Sequence, residues 1–239
     1  MTDNKVSSDL RRHFDEQGYV VCPNVLSAAE LPRINQELDH HYGLAERRHN
    51  THNLMPDKYG TEVVYWNPVV EHNPVFLELF QHPRLRELTT ACIGPGYTEG
   101  AEHTLVMLSQ FKGQGQAWHQ DCPADNPRQF NVNRLFYTRD VSLEDGAIVI
   151  VPGSHLRGRI PAGGNQESMA GELVLTPQAG TLVVLNGLCF HRVTPNQSGR
   201  PRISVNFRAY QAGVPTNLTE VGVYRNGAMD FRKWQEVDK

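Results

Sequence analysis

The chain has 239 residues and a formal charge of −3, from 23 Lys and Arg against 26 Asp and Glu; that length can bury a sizeable core and fits one domain, 1–239. Its basic residues fall in short scattered groups such as Arg47-Arg48 and Arg157-Gly158-Arg159, which argues against a nucleic-acid partner. No apolar run approaches the ~20 residues that span a bilayer, and the opening MTDNKVSSDLRRHF lacks the apolar stretch of a secretion signal, so a cytoplasmic protein with no membrane partner is expected.

In chain order, SSDLRRHFDEQGYVV places Leu10 and Phe14 at helical spacing, with Ser7 or Ser8 as the cap and Gly18 ending the helix before a strand-like Tyr19-Val20-Val21. A second helix is expected after Ser27, with Pro32 near its start and Leu31, Ile34 and Leu38 as its apolar stripe. Residues 43–70 read as polar and irregular, and Pro74 to Phe80 with Leu85 and Leu88 as one or two short helices. Beyond Gly94 the texture changes to short β-type runs between turn residues: HTLVMLSQF, RLFYTRDV, AIVIVPGS, ELVLTP, GTLVVLNG and RISVNFRAY. The expected fold is mainly β with flanking helices, a sandwich or barrel. Residues 1–95 form mostly helical support and a lid, 96–215 the β core, and 216–239 a C-terminal tail. Cys22, Cys92, Cys122 and Cys189 form no CxxC pair and read as reduced packing thiols.

In QAWHQDCP, His119 and Asp121 lie two positions apart, so in a strand both side chains point the same way. A third nitrogen ligand would complete the facial two-histidine, one-carboxylate set of non-heme Fe(II) oxygenases, with positions left for substrate and dioxygen. His191, after the strand GTLVVLNG, is placed to supply it. Downstream, RPRISVNFRAY puts Arg200, Arg202, Ser204, Asn206 and Arg208 on one strand face and Ile203, Val205 and Phe207 on the other. Guanidinium groups turned into a sandwich need an anion, and a dicarboxylate would supply one in a bidentate fork.

FDEQGYVVCPNVLSAAEL, WHQD, EDGAIVIVPGSH and FHRVTPNQSGRPRISVNF, in that order and spacing, resemble the phytanoyl-CoA dioxygenase-like branch of the Fe(II)/2-oxoglutarate-dependent oxygenases over nearly the whole chain. The resemblance implies a double-stranded β-helix, the cupin-like jelly roll, with His119, Asp121 and His191 binding iron. It also implies an arginine shortly after His191 on the distal carboxylate of 2-oxoglutarate. Arg200 and Arg202 both qualify; Arg202 is favoured because Ser204 would add a hydroxyl to the same carboxylate. Lys112 resembles a lysine often seen before the metal motif. The implied chemistry couples 2-oxoglutarate and dioxygen to oxidation of a small-molecule substrate, most simply hydroxylation, with release of succinate and CO2. Desaturation, epoxidation and cyclisation stay open as outcomes. With Asp121 present, oxygenation rather than halogenation is expected.

Other features read more plainly. His155 in PGSH belongs to a turn, the group His40, His41, His49 and His52 to a solvated helix end, and Tyr65 and Trp66 either to the core or to the substrate wall. A catalytically silent jelly roll that binds a ligand or a structural metal is the alternative, and the joint presence of both histidines, the aspartate and the arginine argues against it. The sequence sets no oligomeric state.

Overall fold

A computed structural model describes residues 2–40, 63–66, 73–99, 106–110, 113, 115–200, 202–216 and 221–230. Helix α1 (Thr2–Gln17) leads into strand β1 (Tyr19–Cys22), and α2 covers residues 31–40. Then come β2 (Val63–Trp66), α3 (Pro74–Phe80) and α4 (Pro83–Ile93). The remaining strands are β3 (Val106–Gln110), β4 (Gln116–Gln120), β5 (Asn131–Tyr137), β6 (Ile148–Ile150), β7 (Leu173–Leu175), β8 (Thr181–Asn186), β9 (His191–Val193), β10 (Arg202–Tyr210), β11 (Val221–Tyr224) and β12 (Gly227–Asp230).

The helix boundaries follow local chemistry. The Asn73 side chain accepts hydrogen bonds from the amides of Val75 and Phe76 at 3.0 and 3.4 Å, and Pro74 at the first position loses no needed donor. Ser27 donates from its amide and hydroxyl to Glu30 at 2.8 and 2.6 Å, fixing the approach to α2. Neither Ser7 nor Ser8 caps α1, because the helix already runs from Thr2. It ends at Gly18, where φ is +79° and a Cβ would collide with Cys189 Sγ and His155 Nδ1.

The strands form two six-stranded sheets, ordered β1-β8-β5-β10-β3-β2 and β12-β11-β4-β9-β6-β7. One face of the first carries Val132, Phe136, Leu182, Val184, Ile203, Val205 and Phe207 against Phe14, Leu38, Phe76, Leu85 and Leu88 of the helices. The helices therefore brace this sheet. Its other face meets the second sheet, where Leu135, Tyr137, Val183 and Leu185 pack on Ile148 and Ile150. Register assigns faces: Asn206 pairs with Leu135, Ile150 with His191, and His191 with His119. The polar residues of β10 and both histidines thus face the space between the sheets.

Two expectations are corrected here. The segment read as irregular contains β2, an edge strand that pairs Tyr65 with Met107 and Trp66 with Val106. The expected C-terminal tail contains the β11–β12 hairpin, which extends the second sheet beside β4. His41, His49, His52, Lys112 and most of the expected lid lie outside the described residues; His40 is exposed at the end of α2.

Candidate metal centre

His119 comes from β4, Asp121 from the residue just past its end, and His191 from the first position of β9. Pairing of His119 with His191 across antiparallel strands brings the rings to 4.0 Å between centroids. Asp121 is fixed by its amide, which donates to Gly187 O at 2.7 Å. Its carboxylate then lies between the histidines, Oδ1 3.6 Å from His119 Nε2 and Oδ2 3.3 Å from His191 Nε2. One potential ligand atom from each of the three lies within 4.8 Å of the others, and among the described residues no other such group occurs.

The ring tautomers follow from the neighbours. His119 Nδ1 sits 2.8 Å from Ala117 O and His191 Nδ1 2.8 Å from Cys189 O. A carbonyl can only accept, so Nδ1 carries a proton in both rings, and Nε2 is the nitrogen that each ring turns toward Asp121 and can offer to a metal. Burial, helped by His191, pushes the His119 imidazole down to about 3, so it is neutral at physiological pH. Burial alone would raise the Asp121 carboxyl, but Arg208 and then His191 outweigh it and hold the group well below the usual carboxylate range. A neutral imidazole beside an ionised carboxylate is the donor state that a divalent metal requires. The residues fit such an ion.

Outer contacts hold the carboxylate. Asn133 donates to Asp121 Oδ2, and Arg208 donates to Oδ1 at 3.3 Å while its Nε donates to Asn133 Oδ1 at 3.1 Å. Asn206 closes the set by donating to the same Asn133 oxygen at 2.8 Å. Sequence reasoning placed Arg208 on the correct face but missed Asn133 and Tyr137. Their signal was the period-two series Asn131, Asn133 and, past Leu135, Tyr137, on the strand face opposite Val132, Arg134 and Phe136.

The two candidate arginines part company. Arg202 is 3% exposed, donates to Tyr137 Oη at 3.0 Å and to Ser204 Oγ at 3.3 Å, and leaves its buried Nε without a partner among the described residues. Among the described residues no carboxylate pairs with it. Such a guanidinium needs an anion, and the orphaned Nε fits a carboxylate. Arg200 does not share this face: β10 begins at Arg202, and the Arg200 side chain is 71% exposed and forks onto Asp145 at 2.9 Å. Asp145 also accepts from the amide and hydroxyl of Ser142 at 2.9 and 2.7 Å.

Burial would raise the Asp145 carboxyl, but hydrogen bonds from Ser198 and Ser142, with Arg200, hold it down to about 2. A depressed acid contributes stability above its ordinary value of 3.8 and loses it as pH falls through about 2. Arg200→Ala is expected to lower unfolding stability at pH 7 by ~0.2–1 kcal/mol, the range for a solvent-screened pair. Denaturant melts at pH 7 and pH 2 should show a clearly smaller wild-type advantage at the lower pH.

His155 lies in the short turn Ser154–Leu156 with Nε2 3.0 Å from Asp15 O, a structural placement as expected. All four cysteines are free. Burial raises the thiols of Cys122 and Cys189 to about 12, which makes them inert. The backbone of Tyr65 and Trp66 lies in β2, two strands from β10, and their side chains lie outside the described residues. No helix among the described residues is long and apolar enough to cross a membrane.

A sequence profile of the phytanoyl-CoA dioxygenase (PhyH) family matches residues 14–204. The chain belongs to the phytanoyl-CoA dioxygenase family. Among curated proteins this family member is 21% identical to dioxygenase sphC of Aspergillus fumigatus, covering 88% of its own length and 60% of that relative's. The chain therefore spans about 60% of the length of the curated relative it matches. Among solved structures it is similar to the epimerase SnoN in complex with Fe3+, alpha-ketoglutarate and nogalamycin RO (TM-score 0.65, 19% identity, 93% of this chain and 87% of that one). It is also similar to HygX from Streptomyces hygroscopicus with nickel and 2-oxoglutarate bound (TM-score 0.67, 18% identity, 86% and 87%). A third similar structure is SnoK, an alpha-ketoglutarate-dependent carbocyclase from nogalamycin biosynthesis (TM-score 0.62, 18% identity, 98% and 92%). These likenesses establish the double-stranded β-helix fold of the phytanoyl-CoA dioxygenase family for this chain.

Proposed function

We propose that this phytanoyl-CoA dioxygenase family member is a non-heme Fe(II)/2-oxoglutarate-dependent dioxygenase that oxidises a small-molecule substrate and releases succinate and CO2. The observation that carries the reading is the buried His119, Asp121 and His191 cluster facing the same space between the sheets as Arg202, a buried cation whose Nε has no partner among the described residues. Bound iron would supply dioxygen activation coupled to oxidative decarboxylation of 2-oxoglutarate.

The chain's own part is binding, orientation and exclusion of water. His119 and His191 present Nε2 and Asp121 presents its carboxylate, each held by the backbone or side-chain hydrogen bonds described above. Arg202 offers its fork to the distal carboxylate of 2-oxoglutarate, with Ser204 and Tyr137 as hydroxyl neighbours. His119, Asp121, Arg202 and Ser204 are all buried, so the electrostatic interactions among them are little screened by solvent. Hydroxylation is the simplest outcome. Desaturation, epoxidation and cyclisation are further outcomes, since similar folds serve an epimerase and a carbocyclase.

The substrate is proposed to be a small organic molecule, and the test is succinate release with Fe(II), 2-oxoglutarate and dioxygen across acyl thioesters, amino-acid derivatives and polycyclic natural-product intermediates. One compound should raise succinate above the uncoupled background and return an oxidised product. No stimulation and no background turnover by folded, iron-loaded protein would favour a silent binding role. Tyr65 and Trp66 are proposed substrate contacts. Trp66→Ala should lower the product-to-succinate ratio while iron and 2-oxoglutarate still bind; a folded variant with an unchanged ratio would remove Trp66 from the substrate wall.

A further inference from the structure

From the C-terminal hairpin, which lies beyond the family match ending at residue 204, we infer that Tyr224 is a positioning residue of the metal centre that fixes the ring of His119. The inference rests on the metal-centre reading above. The Tyr224 ring stacks on His119 at 5.0 Å between centroids and 14° between planes, while the His191 ring approaches His119 at 4.0 Å and 48°. His119 is thus flanked by two rings and tied by Nδ1 to Ala117 O. It is 1% exposed and Tyr224 is 8% exposed. With Nδ1 committed and aromatic neighbours packed on it, the imidazole has little freedom to swing its Nε2 away from Asp121.

The pairing that puts Tyr224 there is short, only Val223 with Gln120 and Tyr224 with His119. A slip of one residue would turn Tyr224 to the outer face. A separate clasp secures the register. Arg225, next to Tyr224, donates from its amide to Trp118 O at 2.9 Å and from Nη1 to Glu167 O at 3.0 Å. Asn226 donates to Asn165 Oδ1 at 2.6 Å. The same segment holds the neighbour of His119: Trp118 donates from its amide to Asn165 O at 3.1 Å and from Nε1 to Glu167 O at 2.8 Å. Gly163 completes the fit, since a Cβ there would overlap the Arg225 guanidinium. Residues 163–167 therefore grip β4 and β11 together, and their grip sets His119 opposite Tyr224.

The test uses Co(II) as probe in the full chain, reading its visible absorption spectrum and its dissociation constant, with Tyr224→Leu, Tyr224→Phe and Arg225→Ala beside the wild type. Tyr224→Leu keeps apolar bulk but loses the ring, and should weaken Co(II) binding by ~2- to 10-fold, the range for a stacked aromatic pair, with a shifted spectrum. Tyr224→Phe should restore both. Arg225→Ala, which keeps both rings, should shift the spectrum in the same sense through loss of register. If folded Tyr224→Leu binds Co(II) with the wild-type constant and spectrum, the inference is overturned while the metal centre stands. If the wild type binds no Co(II), the metal-centre reading fails and the inference with it.

Discussion

Replacing His119 or His191 by Ala is expected to reduce succinate release to background and to weaken Fe(II) binding by more than the ~10–100-fold typical of losing an outer hydrogen-bond partner. The protein offers three donors within 4.8 Å, so either change leaves only two. The hydrogen bonds from Asn133 and Arg208 hold the carboxylate but would not replace a ligand. Asn133→Ala should therefore fall inside that ~10–100-fold range, and the gap between the two classes of variant is part of the expectation. Metal content and succinate measured on the same folded preparations decide it. An alanine variant at either histidine that kept most of its iron and turnover would remove that residue from the ligand set.

The second large effect is at Arg202. Removing one side of a buried ion pair costs ~3–5 kcal/mol, so Arg202→Ala is expected to raise the apparent constant for 2-oxoglutarate by roughly two to four orders of magnitude. Arg202→Lys should recover only part, because an ammonium lacks the fork that meets a carboxylate with two parallel bonds. Arg200→Ala should change the constant by less than about 2-fold, since its guanidinium is spent on Asp145 at the surface. Initial rates of succinate formation against 2-oxoglutarate concentration separate the two. A large effect at Arg200 with a mild one at Arg202 would reverse the assignment.

The strands and the ligand cluster were legible because both follow from period two. HQD aimed two donors at one side of β4, and the run after Arg202 alternated polar with apolar, as β10 does. Alternation was carried two residues too far upstream. It carried Arg200 onto the same face, although the strand starts at Arg202 and the Asp145 carboxylate captures Arg200 before it. Asn133 was missed because the β-type run was read from Arg134, one residue past it, and Tyr137 because β5 is buried on both faces, where a tyrosine reads as core. The C-terminal hairpin carried a partial signal, the Asn226-Gly227 step where VGVY and GAMD meet, although the pairing of Tyr224 with Gly227 puts the two-residue turn at Arg225-Asn226. Its contact with His119 had no local signature, since the pairing of β11 with β4 spans about a hundred residues. At the other end, a good capping residue at Ser7 or Ser8 did not start α1, because the serines sit inside a helix already begun at Thr2.

The most direct test of the metal centre is the visible difference spectrum of the purified protein under anaerobic conditions, with Fe(II) and 2-oxoglutarate added singly and together. Chelation of 2-oxoglutarate to iron held by His119, Asp121 and His191 predicts a weak charge-transfer band that needs both additions. The band should vanish in His119→Ala and His191→Ala and should require far more 2-oxoglutarate in Arg202→Ala. A folded wild-type protein that gives no band at saturating Fe(II) and 2-oxoglutarate, or a band that survives unchanged in His191→Ala, would contradict it.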